Sequence, residues 1–209
     1  LRHLFSQGCI FDQKLLYDDL PNDYLPYDFD TYFKNPATFE MVTTNCLTGE
    51  AMYLVDKQDK QRTLDIVKAS SSLPYVSKIV TVDGIPMLDG GIVDSIPVLR
   101  SIEMGHPTNV VVLTRNRGCR NTSRDYKIPR FIYKNYPRLR VALSRRIAVY
   151  NAQLDLIEHL ENEGKIVCIR PVHPLEVDRI ERDVTKLEDL YEEGFEQGEL
   201  FCQQHWDKR

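Results

Sequence analysis

The chain has 209 residues, 42% of them hydrophobic and 28% charged, and a formal net charge of −4. That length suits one domain with a small appendage and suffices to bury a core. The composition excludes a disordered, fibrous or repeat protein, and no apolar run approaches the roughly 18–20 residues of a membrane span.

The start, Leu1-Arg2-His3-Leu4-Phe5, has no initiator Met and runs straight into Gly8-Cys9-Ile10-Phe11-Asp12, as if the chain were entered partway. Phe11 to Leu20 has helical apolar spacing, and Pro21-Asn22-Asp23 is expected to stop it. Asp28 to Asn35 predicts a short helix or turn ended by Pro36. Thr38 to Thr44 and Glu50 to Val55 are rich in β-branched and aromatic residues around Asn45-Cys46-Leu47-Thr48-Gly49, which predicts a hairpin. Thr63 to Ser71 reads as a helix closed by Ser-Ser-Leu-Pro at 71 to 74. Lys78 to Val82 predicts a strand, Asp83-Gly84 a tight turn, and Ile85 to Leu88 a return strand that delivers Asp89-Gly90-Gly91.

Pro97 suits the first turn of a helix reaching about Met104. Asn109 to Thr114 is a continuous apolar run, the mark of a parallel strand buried on both faces. Pro137 to Glu163 predicts one long helix ended by Gly164, and Lys165 to Arg170 another short strand. Leu187, Leu190, Tyr191, Gly194, Phe195 and Gly198 share one face at helical spacing. The alternation predicts an α/β fold, with a three-layer α/β/α sandwich as its architecture. Residues of about 8–120 are expected to form the core and about 121–209 a helical extension with one short strand.

Five cysteines (Cys9, Cys46, Cys119, Cys168, Cys202) are scattered singly. The odd number and the lack of a CxxC pair argue against a disulfide framework and a zinc site, and point to a reducing, cytoplasmic setting. No metal or cofactor is expected. His3, His106, His159, His173 and His205 sit in no motif and read as surface or packing residues.

Of the two Asp-Gly pairs, Asp83-Gly84 serves a turn. Asp89-Gly90-Gly91 follows a strand, and its successive glycines let another backbone or a substrate come close. The stretch Lys68-Ala69-Ser70-Ser71-Ser72-Leu73-Pro74, then a hairpin, then Met87-Leu88-Asp89-Gly90-Gly91-Ile92-Val93-Asp94-Ser95-Ile96-Pro97-Val98, resembles bacterial patatin-like phospholipases. Thr43 to Glu50 is similar to that family's hairpin after its T-x-x-x-T-G pattern. The strand Val110 to Thr114 and the tail from Leu187 to Gly198 also fall where the family places a strand and a C-terminal helix.

The resemblance implies a serine–aspartate dyad in which Asp89 takes the serine proton directly, so that no histidine is needed. Gly90, Gly91 and Asp94 would shape the loop. The family's Gly-x-Ser-x-Gly nucleophile motif and its glycine-rich oxyanion loop are absent from residues 1–209. Ser70, Ser71 and Ser72 read as helix-end and turn residues. The resemblance therefore implies the rear part of a patatin-like acyl hydrolase, incomplete at its N-terminus, with a base and no nucleophile. The alternative is a non-catalytic binding or regulatory module on the same fold.

Residues 115 to 146 hold eleven Lys or Arg and a single acid, Asp125, while the remainder has 16 basic and 30 acidic residues. The cations are interleaved with Tyr126, Phe131, Tyr133 and Tyr136. A solvated face paired with the acidic remainder, an anionic lipid surface and single-stranded nucleic acid are the three readings. For an acyl hydrolase, lipid is preferred over nucleic acid. Arg130, Lys134, Arg138 and Arg140 are the expected lipid contacts, and the expected location is cytoplasmic with peripheral membrane attachment. Self-association through an exposed sheet edge is a further expectation.

Overall fold

The computed structural model describes residues 12–122, 128–177 and 181–205. The chain start with Cys9, and Arg124, Asp125, Tyr126 and Lys127 of the basic segment, lie outside the described residues. The fold is mixed α/β, and its residues group into two compact units. One draws on Leu1–Ile96 and Ser123–Tyr150, the other on Pro97–Thr122 and Asn151–Arg209.

The first unit opens with a departure from expectation. The helix does not stop at Pro21; a π-helix spans Leu15–Tyr24 with Pro21 inside it. In an α-helix the proline ring collides with the carbonyl four residues back and lacks an N–H to donate. The wider π turn bonds five residues back instead, and the Leu25 N–H closes on the Leu20 carbonyl at 2.8 Å. Helix α1 (Phe29–Lys34) follows, capped by Asp28, whose carboxylate accepts from the Thr31 N–H at 2.9 Å.

Strands β1 (Met41–Asn45) and β2 (Ala51–Leu54) pair antiparallel, from Met41 opposite Leu54 to Thr44 opposite Ala51. Helix α2 (Lys60–Ser70) begins three residues before the expected Thr63, because Asp59 caps it by accepting from the Arg62 N–H at 3.0 Å. Strands β3 (Val80–Val82) and β4 (Ile85–Asp89) form the second hairpin. Its turn puts Asp83 at φ 51° and Gly84 at φ 78°. Paired left-handed residues match the right-handed twist of the flanking strands, and Asp-Gly tolerates them best.

These strands make one antiparallel sheet in the order β2-β1-β4-β3. Side chains alternate across it. Met87 faces a core with Met41, Val82 and, from α2, Ile66 and Ala69. Its neighbour Leu88 faces the opposite core with Cys46, Ile92 and Leu139, flanked by Tyr133, Tyr136, Ala142 and Leu143. Leu139, Ala142 and Leu143 belong to helix α4 (Pro137–Asn162), so within this unit the sheet lies between α2 and the first turns of α4.

The second unit holds α3 (Val98–Glu103), β5 (Asn109–Val112), the second half of α4, β6 (Ile166–Ile169) and α5 (Val184–His205). Strands β5 and β6 run parallel, as expected, with Val110 opposite Val167 and Val112 opposite Ile169. The expectation that β5 is buried on both faces is not met. Val111 and Leu113 are buried, but Val110 and Val112 are 49% and 72% exposed. Among the described residues the sheet here has two strands, and only one face of β5 is covered. Helix α4 ends at Asn162, and Gly164 follows at φ 67°, which suits the left-handed stop. In α5, Val184, Leu187, Tyr191 and Phe195 are all exposed.

The β1–β2 turn offers a direct test of this packing. At Gly49, with φ +70°, an added Cβ would lie 2.7 Å from the Arg138 carbonyl oxygen at the start of α4. Gly49→Ala should lower stability by about 1–3 kcal/mol, combining left-handed strain with a backbone collision. Gly84→Ala, left-handed but in open space, should cost less. Thermal or urea unfolding of the two variants checks the order.

Candidate active site around Asp89

Asp89 ends β4 and caps a single 3-10 turn, Gly90–Ile92. Its backbone is held on both sides. The Asp89 N–H donates to the Ser72 carbonyl at 3.0 Å, and the Asp89 carbonyl accepts from the Thr44 hydroxyl at 2.8 Å. The register of β4 on β1, with Asp89 opposite Thr43, sets how far along the sheet the carboxylate stands.

Gly90 is required by space. An added Cβ would lie 2.4 Å from the Val42 carbonyl oxygen, on backbone that has nowhere to go. At Gly91 an added Cβ would meet Asp89 Oδ1 at 2.9 Å. That same oxygen accepts the Gly91 N–H at 2.6 Å, so the carboxylate is fixed by the turn it starts. The other oxygen, Oδ2, has no hydrogen-bond partner among the described residues. Asp94 lies at the far end of the loop. Its N–H bonds the Gly90 carbonyl at 2.9 Å, and its carboxylate accepts the Tyr53 hydroxyl at 2.6 Å.

Arg146 is a member of this site that the sequence did not reveal. Its Nε donates to the Gly91 carbonyl at 2.9 Å, and the Ser95 hydroxyl donates to the same oxygen at 2.9 Å. By sequence it is one cation of a basic stretch; only the path of α4 brings it to the loop. Burial pushes the Asp89 carboxyl above the usual aspartate range, while the Gly91 N–H and the Arg146 charge pull it down less strongly.

The serines near the loop are committed elsewhere. The Ser70 hydroxyl donates to the Val42 carbonyl, Ser71 to Val67 and Ser72 to Lys68, each at 2.7 Å. Ser72 is buried. Hydroxyls returning to carbonyls four residues back are usual at helix ends.

Of the expected lipid contacts, Arg130, Lys134 and Arg138 are exposed. Arg140 is half-buried, and its guanidinium turns inward, donating to the Ile128 carbonyl at 2.9 Å. Other cations of the segment are consumed in ion pairs. In the second unit Arg120 bridges Asp155 at 2.6 Å and Glu158 at 2.9 Å, which holds the Glu158 carboxyl down at about 2. Among the described residues no group of His, Cys, Asp and Glu could hold a metal ion, and no helix is long and apolar enough to cross a membrane.

The raised carboxyl of Asp89 makes a stability prediction with a definite sign. The folded chain holds this proton more tightly than the unfolded one, so stability falls as pH rises from the ordinary aspartate value through the folded value. Asp89→Asn removes that cost and keeps an oxygen for the Gly91 N–H. The variant should melt higher than the parent at neutral pH, and the difference should shrink as pH falls through the acidic range. A pH series of melting temperatures measures it.

Residues 1–101 match the family described as Patatin-like phospholipase, and residues 136–207 match a Domain of unknown function (DUF6363). A protein of Escherichia coli (strain K12), described as Uncharacterized protein YjjU, is 45% identical over 56 residues, 26% of this chain. The matched stretch spans 16% of that protein's length. The first family match contains the whole Asp89 loop, both hairpins and α2. The N-terminal part of this chain, residues 1–101, therefore belongs to the patatin-like phospholipase family.

Proposed function

We propose that this chain supplies the aspartate base of a Ser–Asp dyad in a patatin-like acyl hydrolase acting on phospholipid or lysophospholipid esters. The observation that carries the reading is Asp89 itself. Its carboxylate is half-buried, fixed through Oδ1 by the Gly91 N–H, and shifted upward by burial, with Oδ2 left to accept a proton. A base with a raised pKa is a stronger proton acceptor near neutral pH than an ordinary carboxylate.

In this reading the nucleophile is a serine from a Gly-x-Ser-x-Gly segment outside residues 1–209. Asp89 Oδ2 takes the serine proton as Oγ attacks the ester carbonyl. Backbone N–H groups of a glycine-rich loop, likewise outside residues 1–209, hold the oxyanion. As the tetrahedral intermediate collapses, the proton passes to the departing alcohol and an acyl-serine remains. Water then attacks the acyl-serine, Asp89 takes the water proton, and the fatty acid leaves as the serine is re-protonated. Arg146 acts through the loop: it holds the Gly91 carbonyl and so keeps the Gly91 N–H aimed at Oδ1. The exposed Arg130 and Lys134 are the cations that would draw this unit to an anionic lipid surface, at about 1 kcal/mol each near the membrane.

Two outcomes are expected. Residues 1–209 alone should not turn over a p-nitrophenyl acyl ester, since a base without its nucleophile has nothing to activate. In a protein joining this chain to a Gly-x-Ser-x-Gly segment, Asp89→Asn should lower kcat by roughly 10²–10⁴, with KM little changed. Asp83→Asn is the control. Asn-Gly suits that turn, so activity should persist although the ion pair to Arg62, 2.7 Å in the parent, is lost. Near-normal turnover by a folded Asp89→Asn protein would falsify the assignment, and would favour a binding module on the same fold.

A further inference from the structure

Helix α5 carries an apolar stripe that nothing in its own unit covers. Val184, Leu187, Tyr191 and Phe195 recur at spacings of three and four, and each is exposed. At 100° per residue these four lie within about 80° of arc, with Gly198 on the same line. No neighbouring atom lies within 4 Å of a Cβ built at Gly194 or Gly198. Glu188, Glu192 and Glu199 run along one edge of the stripe. The helix holds six carboxylates against one lysine, Lys186. Two such helices would repel one another, so the stripe calls for a partner that is apolar and basic.

The first unit has a surface of that description. A shallow concavity of about 330 Å³ has Ile92, Val93, Val141 and Val149 among its lining and the exposed Arg138 and Arg145 beside them. Neither arginine has an ion-pair or hydrogen-bond partner among the described residues. The lining residues of α4 run from 138 to 149, about 16 Å at 1.5 Å per residue, the same length as the stripe from 184 to 195. Arg138 and Arg145 are two turns apart, as are Glu192 and Glu199.

We propose that α5 of one copy of this chain docks in the Arg138–Arg145 concavity of a second copy. The leucine and aromatic side chains meet the valine-lined floor, and Glu192 and Glu199 meet the two arginines. Two copies that exchange α5 make the contact twice and close as a two-fold pair. The contact uses helix packing and charge pairing, and is independent of the sheet edge at β5.

Light scattering after size exclusion tests it on residues 1–209. The expected mass is that of a dimer, with dissociation promoted by salt. Glu192→Lys with Glu199→Lys, and separately Arg138→Glu with Arg145→Glu, should each weaken association at least tenfold. All four positions are exposed, and circular dichroism confirms folding. An equimolar mixture of the two reversed chains should regain the dimer, since both exchanged contacts are then oppositely charged. A monomer at every concentration, an unchanged mass in either variant, or no recovery on mixing overturns the proposal. So does an arginine reversal that alters only sedimentation with anionic vesicles, which would assign the concavity to lipid.

Discussion

The Val42 carbonyl occupies the space where a side chain on Gly90 would have to stand. That contact lets the chain leave β4 and turn at once against β1, so the carboxylate of Asp89 is presented at the sheet's edge of travel. The same carbonyl accepts the Ser70 hydroxyl, which ties the end of α2 to the same point. Asp89 is thus fixed by backbone geometry from three directions: β1 through Thr44, the end of α2 through the Ser72 carbonyl, and its own turn through Gly91. The base role proposed for Asp89 needs such positioning, because a small misplacement removes the overlap on which proton transfer depends.

The electrostatics of the loop follow from its burial. Removing a carboxylate from water raises the free energy of its charged form, and one N–H bond with a nearby guanidinium offsets only part of that. The fold therefore holds at Asp89 a group that costs stability when ionised, while Asp28 and Asp56 are shifted the other way by the backbone N–H groups they cap or bind. Carboxylates perturbed upward inside a loop that leaves one oxygen unengaged are a recurring mark of functional positions.

The basic segment shows how one compositional feature divides between tasks. Arg120 is spent on Asp155 and Glu158, Arg146 on the Gly91 carbonyl and Arg140 on the Ile128 carbonyl. Arg130, Lys134, Arg138 and Arg145 remain at the surface. A charge count over 115–146 treats them alike, although the geometry engages some of them within the fold and leaves others exposed.

The sequence by itself determined the local elements. Asp83-Gly84 permits little besides a tight left-handed turn, Asp28 and Pro36 bracket α1, and Gly164 stops α4, because each rests on dihedral limits of the residues concerned. It also marked Asp89-Gly90-Gly91, since paired glycines after a strand are a backbone signal. Other features needed the tertiary structure. Pro21 sits inside a helix because the turn there is a π turn. Val110 and Val112 face outward because an apolar run records what could be buried, whereas burial depends on what the fold places against it. Arg146 reaches the loop because contacts between residues 55 positions apart are set by packing, which leaves no mark in local spacing.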